Sequence, residues 1–337
     1  MEKLLTIVIP VFKTEAYLEK CLSSLLVAGW QDRLDVVVVI DGSPDRSAEI
    51  ARRYEAQYPG TFRVVEKENG GHGSCWNVGL RMAEGRYVRF LDSDDWFDTP
   101  AFATFLAHLA TAEADVVFTN YAREYVFEGR TVPCYAGGVE YGRVYDAETF
   151  DYATQPVTLC SLFAGTYSTA MLRAEGVRFT EKAYYDDTIL QAYGFMSARS
   201  FVFLEPLVYR YFIGRPGQTM SVEARMKHLA HAQRETLRLC AVYEERAAAL
   251  APAKRDFLFR VAAVNVDEKY RILLNLPYRE ARRQIRSWDE QLARYVFRDR
   301  LYAEGGKLMR LYRHLPFPVF YGIYSMLYLR LGGRRTS

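Results

Sequence analysis

The chain has 337 residues, half of them hydrophobic, and a formal net charge of +3. That length holds one large domain, or a domain with an appendage, around a real core. The charge is too mild to argue for nucleic acid, and five scattered cysteines with no C-x-x-C pair suggest neither a zinc knuckle nor a disulfide framework, so a reduced, cytoplasmic setting is expected.

Leu4 to Ile9 reads as a first buried strand, too short for a signal peptide and running into Pro10. Pro10 to Thr14 reads as a loop, and Glu15 opens a helix whose Leu18, Leu22, Leu25 and Leu26 share one face. Asp35 to Ile40 is a second strand, apolar on both faces as in a covered parallel sheet, and it ends in Asp41-Gly-Ser-Pro-Asp45. A helix over 46–58, a strand over 62–66 and a helix over 75–83 follow, with Asn69-Gly-Gly-His-Gly-Ser74 between the last two. Tyr87 to Leu91 is a fourth strand, which stops in Asp92, Asp94 and Asp95. Strand, loop and helix thus alternate four times, the pattern of a doubly wound, mainly parallel, Rossmann-like α/β sheet. Each polar loop follows the carboxyl end of a strand, where such sheets bind ligands.

Further on, the pattern predicts a helix over 100–112, a strand over 115–120, short aromatic strands with Gly turns over 121–145 and a helical stretch over 146–154. An apolar segment over 158–171 contains Gly165. Tyr184-Tyr-Asp-Asp187 precedes a helix reaching Met196, and Phe201 to Tyr211 is a strand. From Glu223 to about Arg300 the chain reads as successive amphipathic helices, divided near Pro252 and Pro277.

Four clusters carry chemistry. Alternation along a strand points Asp92 and Asp94 the same way, and a divalent cation resolves their repulsion; the plain alternative is a solvated acidic turn before a helix starting at Asp98-Thr-Pro100. Asp41 is placed to accept the N–H of a nucleobase or bind ribose hydroxyls, while Asp45 reads as a helix cap. In the glycine-rich loop the backbone can approach a phosphate, with a helix N-terminus behind it. His72 there either contacts a diphosphate or stands exposed, and Asn77 either fixes the loop or touches ligand. Asp186 and Asp187 form a pair whose pKa values can split, leaving one as a base, unless they only decorate a helix N-terminus.

Taken together, Val8-Ile-Pro-Val-Phe12 with Glu15, Asp41-Gly-Ser-Pro-Asp45, Asn69-Gly-Gly with Asn77, Asp92-Ser-Asp-Asp95 and Asp186-Asp187 resemble a family 2 glycosyltransferase, in order and spacing, over about the first 220 residues. The resemblance implies a GT-A fold, an inverting reaction, a nucleotide-diphosphate sugar donor with UDP-sugars favoured, and Mn2+ or Mg2+ as cofactor. It implies that Asp41 binds the base, that Asp92 contacts ribose or metal, that Asp94 binds metal and that Asp187 is the catalytic base with Asp186 beside it. Pro10, Phe12, Glu15, Asn69, Gly71, His72, Asn77 and Ser93 are then expected at the nucleotide sugar. So are Gln218 and Ser221, in a stretch resembling the family's loop that closes over the diphosphate. Ile40, Trp76 and Asp186 depart from the usual Asp, Arg and Glu. His228 and His231 either complete a metal shell, as a His does in some GT-A enzymes, or decorate a helix.

The implied organisation is a catalytic domain over 1–220, with a nucleotide-sugar half to about 120 and an acceptor half over 121–220, and a helical C-terminal region over 221–337. The acceptor is expected to be a glycan or lipid-linked saccharide of a surface polysaccharide pathway. Two other readings are an inactive sugar-nucleotide or glycan binding module and a sugar-nucleotide pyrophosphorylase, which lacks support because residues 4–15 carry no glycine-rich basic signature. Finally, an uncharged aromatic segment, Leu315 to Leu329, lies between Lys307, Arg310, Arg313 and Arg330, Arg334, Arg335. It is too short to span a bilayer, and either lies peripherally on the inner face of the plasma membrane or packs on the catalytic domain or a second subunit.

Overall fold

The computed structural model describes residues 2–154, 163–215, 218 and 222–326. Its first half is a mixed sheet laid down by alternation of strand and helix: β1 (Leu5–Val11), α1 (Glu15–Ser23), β2 (Leu34–Asp41), α2 (Ser47–Gln57), β3 (Phe62–Lys67), α3 (His72–Met82) and β4 (Tyr87–Phe90). Then come β5 (Trp96–Phe97), α4 (Thr99–Leu109), β6 (Val116–Tyr125), β7 (Arg130–Cys134), β8 (Val144–Asp146), β9 (Gly165–Ser168), α5 (Thr169–Ala174), α6 (Thr188–Met196) and β10 (Ser200–Ile213). The strand order is β3-β2-β1-β4-β9-β6-β10-β5, with β7 on β6 and β8 on β10.

The pairs β3-β2, β2-β1, β1-β4 and β6-β10 are parallel, whereas β9 enters antiparallel between β4 and β6. Every residue of β1 and β2 is buried, which is why both read as apolar on two faces. Val37, Val39 and Cys75 form the core between sheet and α3, with Val65, Val78 and Met82 at its margin.

Several boundaries differ from those expected. Pro10 and Val11 continue β1, paired with Val39 and Ile40, because β4 pairs only as far as Val8 and leaves no neighbour there to want the missing proline N–H. Helix α3 starts three residues early, at His72, with Gly71 (φ 81°) as its N-cap in a conformation L-residues rarely adopt. Residues 146–154 hold only a short 3-10 turn at Tyr152–Thr154. Of the apolar segment expected over 158–171, residues 158–162 lie outside the described residues.

The chain divides into two compact units, residues 1–218 with 251–254, and residues 219–250 with 255–337. The second unit is helical. Its elements are α7 (Val222–Lys227), α8 (Leu229–Arg246), most of α9 (Pro252–Leu273), α10 (Tyr278–Leu292), α11 (Arg298–Glu304), α12 (Lys307–His314) and α13 (Phe317–Tyr324). Asp289 of α10 gathers it: Tyr312 donates to its carboxylate at 2.7 Å, Tyr302 at 3.0 Å, and Tyr270 as well. The described part of the terminal aromatic segment, to Met326, packs within this unit. Phe320 and Tyr324 are buried, Tyr321 donates to the Leu276 carbonyl at 2.8 Å, and Val319 and Met326 stay exposed. Among the described residues, no helix is long and apolar enough to cross a membrane.

Candidate active site

The site lies at the carboxyl ends of β1, β2 and β4, with the turn before α6 brought against it. Strand β4 ends at Phe90, and Asp95 N donates to Asp92 O at 3.0 Å, closing a turn. Strand alternation therefore does not align the carboxylates. The turn does, and Asp92, Asp94 and Asp95 each bring an oxygen within 4.8 Å of the others.

Their partners divide the labour. Asp95 is buried and takes Tyr209 OH at 2.7 Å and Phe212 N at 2.8 Å, so it anchors the turn to β10. Asp94 takes Arg215 Nε at 2.6 Å. Burial, then the neighbouring Asp92 charge, pushes the Asp94 carboxyl up, against the opposing pull of Arg215. The all-oxygen donor set fits Mg2+ or Mn2+.

The second acid pair reaches the same place. Tyr185 holds a left-handed φ of 65°, turning the chain into Asp186 and Asp187 just before α6. His72 bridges the two acidic motifs: Nδ1 lies 3.2 Å from Asp186 Oδ1 and Nε2 lies 3.1 Å from Asp92 Oδ1. Its ring rests on Trp76, centroids 4.2 Å apart. Burial pulls the imidazole down, but the charges and bonds of Asp186 and Asp92 outweigh it and raise His72 well above its usual value. Both carboxylates favour the charged form of the imidazole. With both ring nitrogens against carboxylates, His72 ties the glycine-rich loop to the two acidic motifs. Asp187 makes no capping bond to α6, and burial, followed by repulsion from Asp186, pushes it up to about 6 while His72 opposes.

The glycine-rich loop is organised by Asp41. Its Oδ1 takes Lys67 Nζ at 2.6 Å and Gly70 N at 2.8 Å, its Oδ2 takes Gly71 N at 2.8 Å, and Asn69 Nδ2 donates to its carbonyl at 2.9 Å. A Cβ on Gly73 would stand 2.4 Å from Thr180 O and 2.6 Å from Asp186 Oδ2. The glycine thus admits the acid-bearing turn itself, where close approach of a phosphate was expected.

Several other residues expected at the nucleotide sugar make bonds that brace the site. Asn77 Nδ2 donates to Phe179 O at 2.9 Å and its Oδ1 accepts Phe179 N at 2.8 Å, which spends its amide on holding the acid-bearing loop. Glu15 accepts Arg46 N at 2.7 Å while Asp45 accepts Glu15 N at 3.0 Å and Ser47 N at 3.2 Å, so the starts of α1 and α2 cap each other. Ser93 is buried and accepts Thr14 Oγ1 at 3.0 Å. Gln218 accepts Gly214 N at 2.9 Å and donates to Phe212 O, closing the end of β10. Phe12 is exposed. Ser221 lies outside the described residues. His228 and His231 stand with ring centroids 6.0 Å apart in the helical unit, and neither joins a metal-capable cluster among the described residues. Sequence reasoning missed the Arg215–Asp94 and Lys67–Asp41 pairs and the tyrosines of β10; basic residues at strand ends were the available signal.

This sheet, with an acidic turn after a central strand and a second acid pair before a helix, is the architecture of the GT-A glycosyltransferases. The chain belongs to glycosyl transferase family 2, whose sequence model matches residues 6–178. It is 30% identical over 245 residues to the glycosyltransferase GlyA of Streptococcus pneumoniae, covering 70% of this chain and 34% of GlyA. The chain spans about a third of the length of the curated relatives it matches. Among solved structures, S. aureus TarS 1–349 in complex with UDP-GlcNAc aligns with a TM-score of 0.71 at 19% identity, over 98% of this chain and 92% of that one. The mannosyltransferase PcManGT of Pyrobaculum calidifontis, in complex with GDP-Man and Mn2+, aligns at 0.50 and 16% identity, over 97% and 88%. At these identities the likeness is one of fold.

Proposed function

We propose that this chain is an inverting, metal-dependent glycosyltransferase that moves a sugar from a nucleoside diphosphate sugar to a hydroxyl of a glycan or lipid-linked saccharide in surface polysaccharide synthesis. The observation that carries the reading is that the Asp186-Asp187 turn is brought onto the acidic turn through His72, where burial pushes the Asp187 carboxyl up to about 6. A pKa near the working pH is what a general base requires and what a binding module has no use for. In the reaction, the acceptor oxygen attacks the anomeric carbon as the bond from that carbon to the diphosphate breaks. Asp187 takes the acceptor's proton, and the nucleoside diphosphate leaves. His72 pairs with Asp186 and Asp92, which leaves Asp187 as the carboxylate available for that proton.

Asp94, with Asp92, would hold Mg2+ or Mn2+, which when bound neutralises charge on the departing diphosphate. TarS was determined with UDP-GlcNAc and PcManGT with GDP-Man and Mn2+, which supports a nucleotide sugar, with uridine favoured, and a divalent ion. The direct test is release of nucleoside diphosphate from a panel of sugar nucleotides, with and without Mn2+. Asp94→Ala should weaken nucleoside diphosphate binding only when metal is present; metal-independent affinity in the unaltered protein would refute the metal assignment.

A catalytic domain to about residue 220 with a helical C-terminal region fits this reading. The exposed Arg310, Arg313 and His314, next to exposed Val319 and Met326, support peripheral contact with anionic lipid. Sedimentation with anionic liposomes at low salt tests it, and protein left in the supernatant would refute it.

A further inference from the structure

Strand β10 carries two tyrosines on one face. Tyr209 and Tyr211 are two residues apart, and the register with β6 is regular from Tyr209 (opposite Tyr121) to Ile213 (opposite Tyr125). The first of them is already engaged, for Tyr209 OH donates to Asp95 and accepts from Asp92 N at 3.2 Å, so this face of β10 looks into the acidic turn. Tyr211 lies one step nearer the carboxyl end of the strand, where Arg215 meets Asp94.

The Tyr211 ring is held in place. It stacks on Phe163, centroids 4.4 Å apart and planes 22° from parallel, and Phe163 also touches Tyr209 at 5.0 Å. Phe163 is fixed in turn by its carbonyl, which accepts Arg89 Nη2 at 2.8 Å. Arg89 is fully buried, with Thr119 and Thr166 as its other hydrogen-bond partners. A buried cation therefore serves to set the ring that sets Tyr211.

Tyr211 itself is half-buried, and no hydroxyl bond ties it down among the described residues. Burial, then the charges of Asp95, Asp92, Asp94 and Asp187, raises its phenol, so it stays protonated and can only donate to an anion. A pre-set donor at the edge of a carboxylate cluster suits one kind of partner, an anionic oxygen delivered there by ligand.

We propose that Tyr211 is a further binding residue, whose hydroxyl donates to the terminal phosphate of the nucleoside diphosphate, both in the donor sugar and in the departing product. This rests on the nucleotide-sugar reading above. The bond grows stronger as charge collects on the leaving oxygen, so Tyr211 contributes to the chemical step as well as to binding.

The experiment is calorimetric titration of the full chain, in the presence of Mn2+, with the nucleoside diphosphate that binds it best and with the matching monophosphate. Tyr211→Phe keeps the stacked ring and removes only the hydroxyl. It should weaken the diphosphate about 10-fold, the worth of one hydrogen bond to a charged group, and leave the monophosphate within about 2-fold. Phe163→Leu, which frees the ring but keeps the hydroxyl, should give a smaller loss in the same direction. Equal diphosphate affinity in the unaltered protein and Tyr211→Phe overturns the inference while leaving the nucleotide-sugar reading intact. An equal loss for both nucleotides also overturns it, since the contact would not be to the terminal phosphate. If no nucleoside diphosphate binds the unaltered protein, the nucleotide-sugar reading falls, and this inference with it.

Discussion

The sharpest consequence of the site concerns Asp187. Its carboxyl is pushed up to about 6 by burial and by Asp186, with His72 pulling the other way. A base must be ionised to accept a proton, so turnover should rise with pH through that value. A single group titrating at about 6 is ionised to roughly one part in ten at pH 5 and nine parts in ten at pH 7. The kcat/KM profile, which reports groups of the free enzyme, should therefore fall about 10-fold from pH 7.5 to pH 5 with unit slope. Asp187→Asn removes the base without changing shape and should lower turnover by about 10²- to 10⁴-fold, with donor affinity unchanged. His72→Gln keeps a polar side chain but removes the group that pulls Asp187 down, so the acid limb should move to higher pH. The assay is nucleoside diphosphate release across pH 5–8. A flat profile in the unaltered enzyme, or Asp187→Asn turning over within about 3-fold of it, would refute the assignment and shift the base to Asp186.

Two further outcomes follow from packing. Gly73→Ala places a methyl 2.4 Å from Thr180 O and 2.6 Å from Asp186 Oδ2, so the acid-bearing turn must back away. A loss of roughly 1–3 kcal/mol and at least a tenfold drop in turnover are expected, and an unchanged melting curve with full activity would contradict the close approach. In the helical unit, Asp289→Ala strips the shared acceptor from Tyr270, Tyr302 and Tyr312. That should cost roughly 2–4 kcal/mol in chemical denaturation, since three part-buried hydroxyls lose their partner, and a change below about 0.5 kcal/mol would show the hub to be dispensable.

The strands and their polar ends were legible because they are written locally. Uninterrupted runs such as Val36 to Ile40 can only be buried on both faces, and acidic or glycine-rich loops immediately after them mark the ligand edge of a parallel sheet. The Asp98 cap was equally plain, and its side chain accepts Ala101 N at 3.1 Å as the Asp-Thr-Pro pattern implies. The start of α3 was less so, because the glycines that argue against a helix also permit the left-handed N-cap from which it springs.

What each polar side chain does inside that frame depended on partners far along the chain. His72 and Asp186 are 114 residues apart and Asp94 and Arg215 are 121 apart, distances over which no periodicity carries information. Asn77, Glu15 and Ser93 have the residue types of ligand contacts, and each also bonds to protein groups: Asn77 and Ser93 because a half-buried or buried polar atom needs a partner, and the exposed Glu15 because it caps the start of α2. The sequence alone therefore determined the α/β class of the sheet and put the acidic motifs at the ends of its strands. Only the tertiary structure decided which acids His72 braces, which one faces Arg215 and which of them burial pushes up. Those differences arise from burial and from neighbouring charge, and both exist only once the chain has folded.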